Sequence, residues 1–292
     1  MIWRFPQNPI IRPNMDDRIG DNINGPSLIR VPEWLSEPLG RYYLYFAHHR
    51  GTYIRLSYAD ELAGPWQTYT PGVLDLSERH FTHHIASPDV HVDHEERRLL
   101  MYFHGLHEDA EGRSQETRVS LSPDGKHSEV PPKRLGNSYF RIFRWRDWVY
   151  ALVMPGEFRR SRDGLHDFEE GPMLFTPQMR HSAVVVTGDR LEVYYSNAGD
   201  CPERILRSSI DLNPDWMDWQ ATEPEEILRP EMGYEGAGLP LEPSMRGPIL
   251  PPVPQLRAPG LFHDEDGRHY LLYGVAGERG LAIAEIDSPE RC

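Results

Sequence analysis

Cysteine is almost absent from this chain of 292 residues, which holds only Cys201 and Cys292. Two thiols so far apart give neither a disulfide framework nor a zinc cluster. Lysine is also scarce: Lys126 and Lys133 stand among 31 basic residues, a bias we read as codon usage in a GC-rich genome rather than as an anion-binding design. No apolar run approaches the roughly 18 to 20 residues that span a bilayer. The first fifteen residues lack the apolar core and small-residue cleavage site of a secretory leader, so a cytoplasmic location is expected. Positive charge is in deficit as well. A net charge of −14 repels phosphate backbones and anionic lipid, so neither a nucleic-acid nor a membrane partner is expected.

Helical spacing of apolar residues is missing too, and short alternating or β-branched runs bounded by Gly, Pro and Asp take its place. The runs recur in one order. A first strand opens at a small or polar residue: Gly25, Ser87, Asn137, His181 or Ala258. An aromatic-rich second strand follows at Tyr42–Ala47, Leu99–His104, Trp148–Met154, Leu191–Ser196 and Tyr270–Val275. A third ends in Asp at Ile54–Asp60, Thr117–Asp124, Phe158–Asp163, Ile205–Asp211 and Leu281–Asp287. A Trp- or Pro-bearing fourth segment comes next in most units, as at Pro65-Trp66 and Asp218-Trp219. The opening positions are separated by 62, 50, 44 and 77 residues, the size of propeller blades with insertions. The chain is therefore expected to be all-β, a five-bladed β-propeller forming one domain over residues 1–292. The last unit lacks a fourth strand, and the N-terminal segment Ile2–Phe5 is expected to supply it and close the ring.

In such a ring the first strands line a central channel, and their starts gather at one face. The five opening residues then surround the channel mouth, while Ser27, Asp89, Tyr139, Ala183 and Gly260 face the channel one layer deeper. Second-strand ends add His48, His49, His104, His107, Asn197, Asp200 and Glu278. Connections add Asp21, His83, His84, Arg180, Glu235 and Arg257.

The segments 27–31 (SLIRV), 42–49 (YYLYFAHH) and 54–66 (IRLSYADELAGPW) resemble the five-bladed glycoside hydrolases. These are the arabinanase and β-xylosidase type of glycoside hydrolase family 43 and the anhydrogalactosidase type that splits neoagarobiose. The resemblance extends over nearly the whole chain as a blade pattern. It implies hydrolysis of a glycosidic bond in a pocket on the propeller axis, and in part of the clan a divalent cation in the central channel. The three carboxylates that the arabinanase type carries at blade openings fall here on Gly25, Asn137 and His181, so that triad is absent. A histidine general acid is similar to the anhydrogalactosidase branch. The segment Leu256-Arg257-Ala258-Pro259 resembles an Arg-Asp-Pro opening with Ala258 in place of Asp.

Glycoside hydrolysis needs a proton donor at the leaving oxygen and a base or nucleophile opposite it. Asp89, on a channel-lining strand among small and apolar residues, is the expected base. His181 is the expected acid, since an unperturbed imidazole titrates at about 6.5. Glu235, set between glycines in the long Pro-rich connection before the last blade, is a second candidate acid. Asp21, His48, His84 and His104 are expected to contact the sugar. Tyr139 is expected to stack on it, and Arg180 and Arg257 to bind its hydroxyls or hold the acids ionised. Tyr43 and Tyr45 read as packing between blades. His48, His84 and His104 are also candidate metal ligands together with Asp89, although no local metal motif is present. Three functions stay open: a glycosidase of a small saccharide or glycoconjugate that needs no cofactor, a metal-assisted hydrolase or lyase, and a non-catalytic sugar-binding propeller.

Overall fold

The computed structural model describes residues 2–76, 81–109 and 112–287. Five four-stranded antiparallel sheets form the blades of a propeller. The first holds β2 (Asn24–Arg30), β3 (Tyr42–Ala47), β4 (Tyr53–Ala59) and β5 (Gln67–Asp75). The second holds β6 (Ile85–Asp93), β7 (Arg98–Asp109), β8 (Gly112–Ser122) and β9 (Gly136–Asn137). The third runs from β10 (Arg141–Trp145) through β11 (Trp148–Val153) and β12 (Glu157–Ser161) to β13 (Glu169–Met173). The fourth has β14 (Met179–Thr187), β15 (Arg190–Asn197), β16 (Ile205–Asp211) and β17 (Glu225–Leu228). In the fifth, β18 (Arg257–His263), β19 (His269–Gly274) and β20 (Leu281–Ile286) are completed by β1 (Ile2–Arg4). Trp3 pairs with Glu285, and the ring closes as expected. No helix among the described residues is long and apolar enough to cross a membrane.

The inner strands pack in a circle, β2 against β6 and β18, and β14 against β10 and β18. Alternating side chains on the sheet faces then meet between blades in five apolar clusters. Tyr42 and Phe46 pack with Phe262 and Tyr270 between the fifth and first blades, and Tyr43 and Tyr45 with Met101 and Phe103 between the first and second. The aromatic second strands thus supply the core and not the site.

Two turns carry the same sequence grammar, Ser-x-Asp-Gly-x-His, at 122–127 and 161–166. Asp124 accepts from the backbone N–H groups of Lys126 and His127, and Asp163 from those of Leu165 and His166. Each Asp also bonds its own histidine, at 2.7 and 2.8 Å. The glycine carbonyls accept hydrogen bonds from Tyr45 and Tyr102 of the preceding blades, both at 3.0 Å. These turns fasten neighbouring blades together, which accounts for His127 and His166.

Four first strands begin with a bulge whose residue has positive φ: Gly25 (64°), Ser87 (53°), His181 (40°) and Ala258 (47°). The third blade departs from the sequence reading. Asn137 lies in β9, the outer strand of the second blade, paired with Glu116. It does not open the third blade, because its backbone pairs with β8 as the second blade's fourth strand, and the third blade begins at Arg141.

Candidate active site

A cavity of about 700 Å³ opens at the channel mouth. Asn24 and His49 line it from the first blade, His84, Ser87 and His104 from the second, Tyr139 from the run into the third, and Arg180 and His181 from the fourth. The fifth blade adds no lining side chain among the described residues. Its sector is covered by the connection between β17 and β18, through Arg246, Gly247 and Pro248. Buried guanidinium groups hold that cover down: Arg180 Nη1 donates to the Met245 carbonyl at 2.7 Å and Arg257 Nη1 to that of Gly247 at 3.3 Å.

At the wall, His49 Nδ1 lies 2.8 Å from Glu278 Oε1. Glu278 is fully buried and also accepts from Asn22 Nδ2 at 2.6 Å, with Arg257 Nη1 3.4 Å away. Burial by itself would raise the Glu278 carboxyl. The hydrogen bonds from His49 and Asn22 and the Arg257 charge prevail and hold it at about 2. An ionised carboxylate only accepts, so His49 Nδ1 carries a hydrogen toward Glu278. A carboxylate behind an imidazole in this way fixes the orientation of the ring.

His181 lies beside His49 in an edge-on pair, ring centroids 6.3 Å apart. Burial first, then the charges of Arg180 and other neighbours, push its imidazole well below the usual range. Its Nδ1 is buried without a protein partner. Tyr139 sits between His181 and His104, at 5.7 and 5.9 Å. His104 is likewise held neutral by burial, and its Nδ1 is also unpartnered. His84, 6.1 Å from His104, is brought down to about 4 by burial and by His49, His83 and Arg50. Burying a polar nitrogen without a bond costs roughly 1–3 kcal/mol, and both rings carry that cost.

The tyrosine hydroxyl of Tyr139 is bonded to Arg141, whose guanidinium lies 4.0 Å from the Tyr139 ring centroid and donates through Nε to the Ser182 carbonyl at 2.7 Å. Tyr139 lines the pocket, and Arg141 behind it lines a deeper space. Asp89 lines that separate space, of about 150 Å³, with Ser27, Ala183 and Gly260. There Asp89 accepts from the Ile142 N–H at 2.8 Å and from His91 Nε2 at 2.9 Å. Burial opposes its charge, but His91 and Arg141 outweigh it and keep the carboxyl below the ordinary range. The expected base is therefore a tie between first strands, one layer too deep to reach the mouth.

Glu235 is displaced further. It is fully buried in a 3-10 turn at Gly233–Glu235, where it accepts from Arg4 Nε at 2.8 Å, the Tyr273 hydroxyl at 2.9 Å and the Glu231 and Met232 N–H groups. It secures the ring-closing strand, and no lid carries it to the pocket. Asp21 is exposed and paired with Arg279 at 2.7 Å, and Asn24 is the residue of this segment that lines the mouth. His48 accepts the Arg50 N–H on its own ring and leaves the lining to its neighbour His49. Arg257 is fully buried behind the wall, 3.0 Å from Glu203 and bonded to Gln255. His84, His104, Tyr139, Arg180 and His181 come together as expected. The histidine doublet was visible in the sequence, but only the turn after β3 decides which ring faces inward.

No carboxylate lines the cavity among the described residues. Imidazole and guanidinium groups do not fit a hard cation such as calcium, which takes oxygen ligands. Among the described residues no three His, Cys, Asp or Glu side chains converge as a metal set.

No family model matches the chain. It is 36% identical over 322 aligned positions to uncharacterized protein R118 of Acanthamoeba polyphaga mimivirus, covering 98% of this chain and 90% of that one. Solved structures share the fold at low identity. A putative glycoside hydrolase from Parabacteroides distasonis matches with TM-score 0.69 and 13% identity, over 98% of this chain and 96% of that one. The GH43 β-xylosidase/α-arabinofuranosidase CoXyl43 from a compost metagenome, in complex with xylotriose, matches with 0.64 and 11%, over 99% and 97%. The GH43_1 enzyme from Xanthomonas citri, complexed with xylotriose, gives 0.63 and 11%, over 97% and 93%.

Proposed function

The chain belongs to one family with protein R118 of Acanthamoeba polyphaga mimivirus, and from that premise we propose that it is a glycosidase acting on a short saccharide or glycoconjugate at the axial pocket. One observation carries the reading. Two imidazoles line the cavity side by side as an edge-on pair, 6.3 Å between centroids, one backed by a buried carboxylate and the other by none. The carboxylate behind one ring and its absence behind the other give the two imidazoles different surroundings, and we assign them different roles on that ground. His49, as imidazolium stabilised by Glu278, gives the Nε2 proton to the leaving glycosidic oxygen as the carbon–oxygen bond breaks. His181, neutral through burial and the nearby Arg180 charge, takes the proton of the water that attacks the anomeric carbon. Tyr139, His84, His104 and Arg180 border the space for the ring and position it. This reading reverses the acid role expected of His181 and leaves Asp89 and Glu235 as structural carboxylates.

The test is a panel of aryl glycosides and natural oligosaccharides analysed for released sugar. A cleaved member should lose roughly 10²- to 10⁴-fold in kcat in His49→Gln and in His181→Ala, while Asp89→Asn stays within a few-fold. Binding without product across the panel would replace hydrolysis by the sugar-binding reading, which the missing carboxylate triad favours.

A further inference from the structure

The charge around the pocket runs against that of the molecule. The chain carries 45 acidic and 31 basic residues. Yet Arg50, Arg113, Arg180 and Arg246 line the cavity and no described Asp or Glu does. The deeper layer is balanced, since Arg180 and Arg257 face Glu203 and Glu278. In the outer layer Arg113 is paired with Glu108 at 2.9 Å, and among the described residues Arg50 and Arg246 have no carboxylate partner. Arg246 spends its guanidinium on the carbonyls of Pro177 and Met179, which leaves its charge uncompensated. Between the layers, the orphaned nitrogens of His104 and His181 face an environment already positive.

Resting on the saccharide reading above, we propose that the ligand carries a negatively charged substituent, a carboxylate, sulfate ester or phosphate ester, held between Arg50 and Arg246 and the imidazoles of His84, His104 and His181. Each neutral imidazole has one N–H to donate, and guanidinium groups suit such oxygens in shape as well as in charge. The depressed histidines agree with this polarity: Arg180, Arg257 and Arg141 act on His181, and Arg50 on His84, all opposing a further positive charge. An anion placed beside Arg50 opposes that field, so its binding draws a proton onto the His84 imidazole.

Calorimetric titration with hexuronic acids, sugar sulfates, sugar phosphates and their neutral parents tests the proposal, and the arms separate the three charged groups. At least one anionic member should bind ten-fold or more tightly than its neutral parent. The advantage should shrink with added salt, and the heat should vary with buffer ionisation enthalpy because protons are taken up near pH 6. Arg50→Gln with Arg246→Gln, both changes at the rim, should remove most of the advantage. Equal affinity for charged and neutral sugars, no binding by any member, or discrimination that survives the double variant would overturn it. Discrimination without cleavage of any glycoside would keep the charge preference and remove the hydrolase reading; cleavage of neutral glycosides without discrimination would do the reverse.

Discussion

Replacing Glu278 by Gln keeps the shape of the buried group and removes its charge. The side chain is fully buried and meets His49 at 2.8 Å, Asn22 at 2.6 Å and Arg257 at 3.4 Å. Its folded carboxyl lies at about 2 against an ordinary 4.5. At about 1.4 kcal/mol for each factor of ten in the proton equilibrium, that difference is worth about 3 kcal/mol. Because the folded value is the lower one, the contribution is complete above about pH 4.5 and is lost as pH falls toward 2. Urea unfolding of the two proteins at intervals from pH 7 to pH 3 measures it. At pH 7 the variant should be less stable by about 3 kcal/mol, roughly 5–10 °C in Tm for a chain of this size. The gap should narrow steadily below pH 4.5. A gap that stays constant with pH would refute the ionised carboxylate, and with it the argument that His49 Nδ1 must carry the hydrogen.

Glu235→Ala should destabilise the fold by roughly 3–5 kcal/mol, since it leaves Arg4 and the Tyr273 hydroxyl without a buried partner; chemical denaturation measures this, and a loss under 1 kcal/mol would contradict the role at ring closure. Gly25→Ala should cost roughly 1–2 kcal/mol, because the residue sits at φ 64° and its new Cβ would stand 3.1 Å from Ser87 Cα; thermal melts give the value, and no change would mean that the bulge relaxes freely. NMR titration of the His84 ring should find it neutral down to about pH 5, with a midpoint near 4, and a midpoint at the ordinary 6.5 would contradict its burial beside Arg50.

The sequence by itself determined the blades. Strand period, turn residues and aromatic second strands act within a few residues of one another. Tyr42–Ala47 and Ile205–Asp211 accordingly coincide with β3 and β16, and the N-terminal segment closes the ring as β1. The histidine-rich mouth followed from the same repeat, since topology brings His84, His104 and His181 to one face. Tertiary structure alone decided which acids reach it. His49 and Glu278 meet from positions 229 apart, and Glu235 meets Arg4 across 231. No local pattern encodes such a pairing, because it depends on how the ring closes. Depth was equally hidden: Asp89 faces the channel as period two requires, yet with Arg141, arriving from the next blade, it lines a deeper space than the pocket. Alternation along a strand fixes the direction of a side chain, and only packing against the neighbouring blades fixes what it can touch.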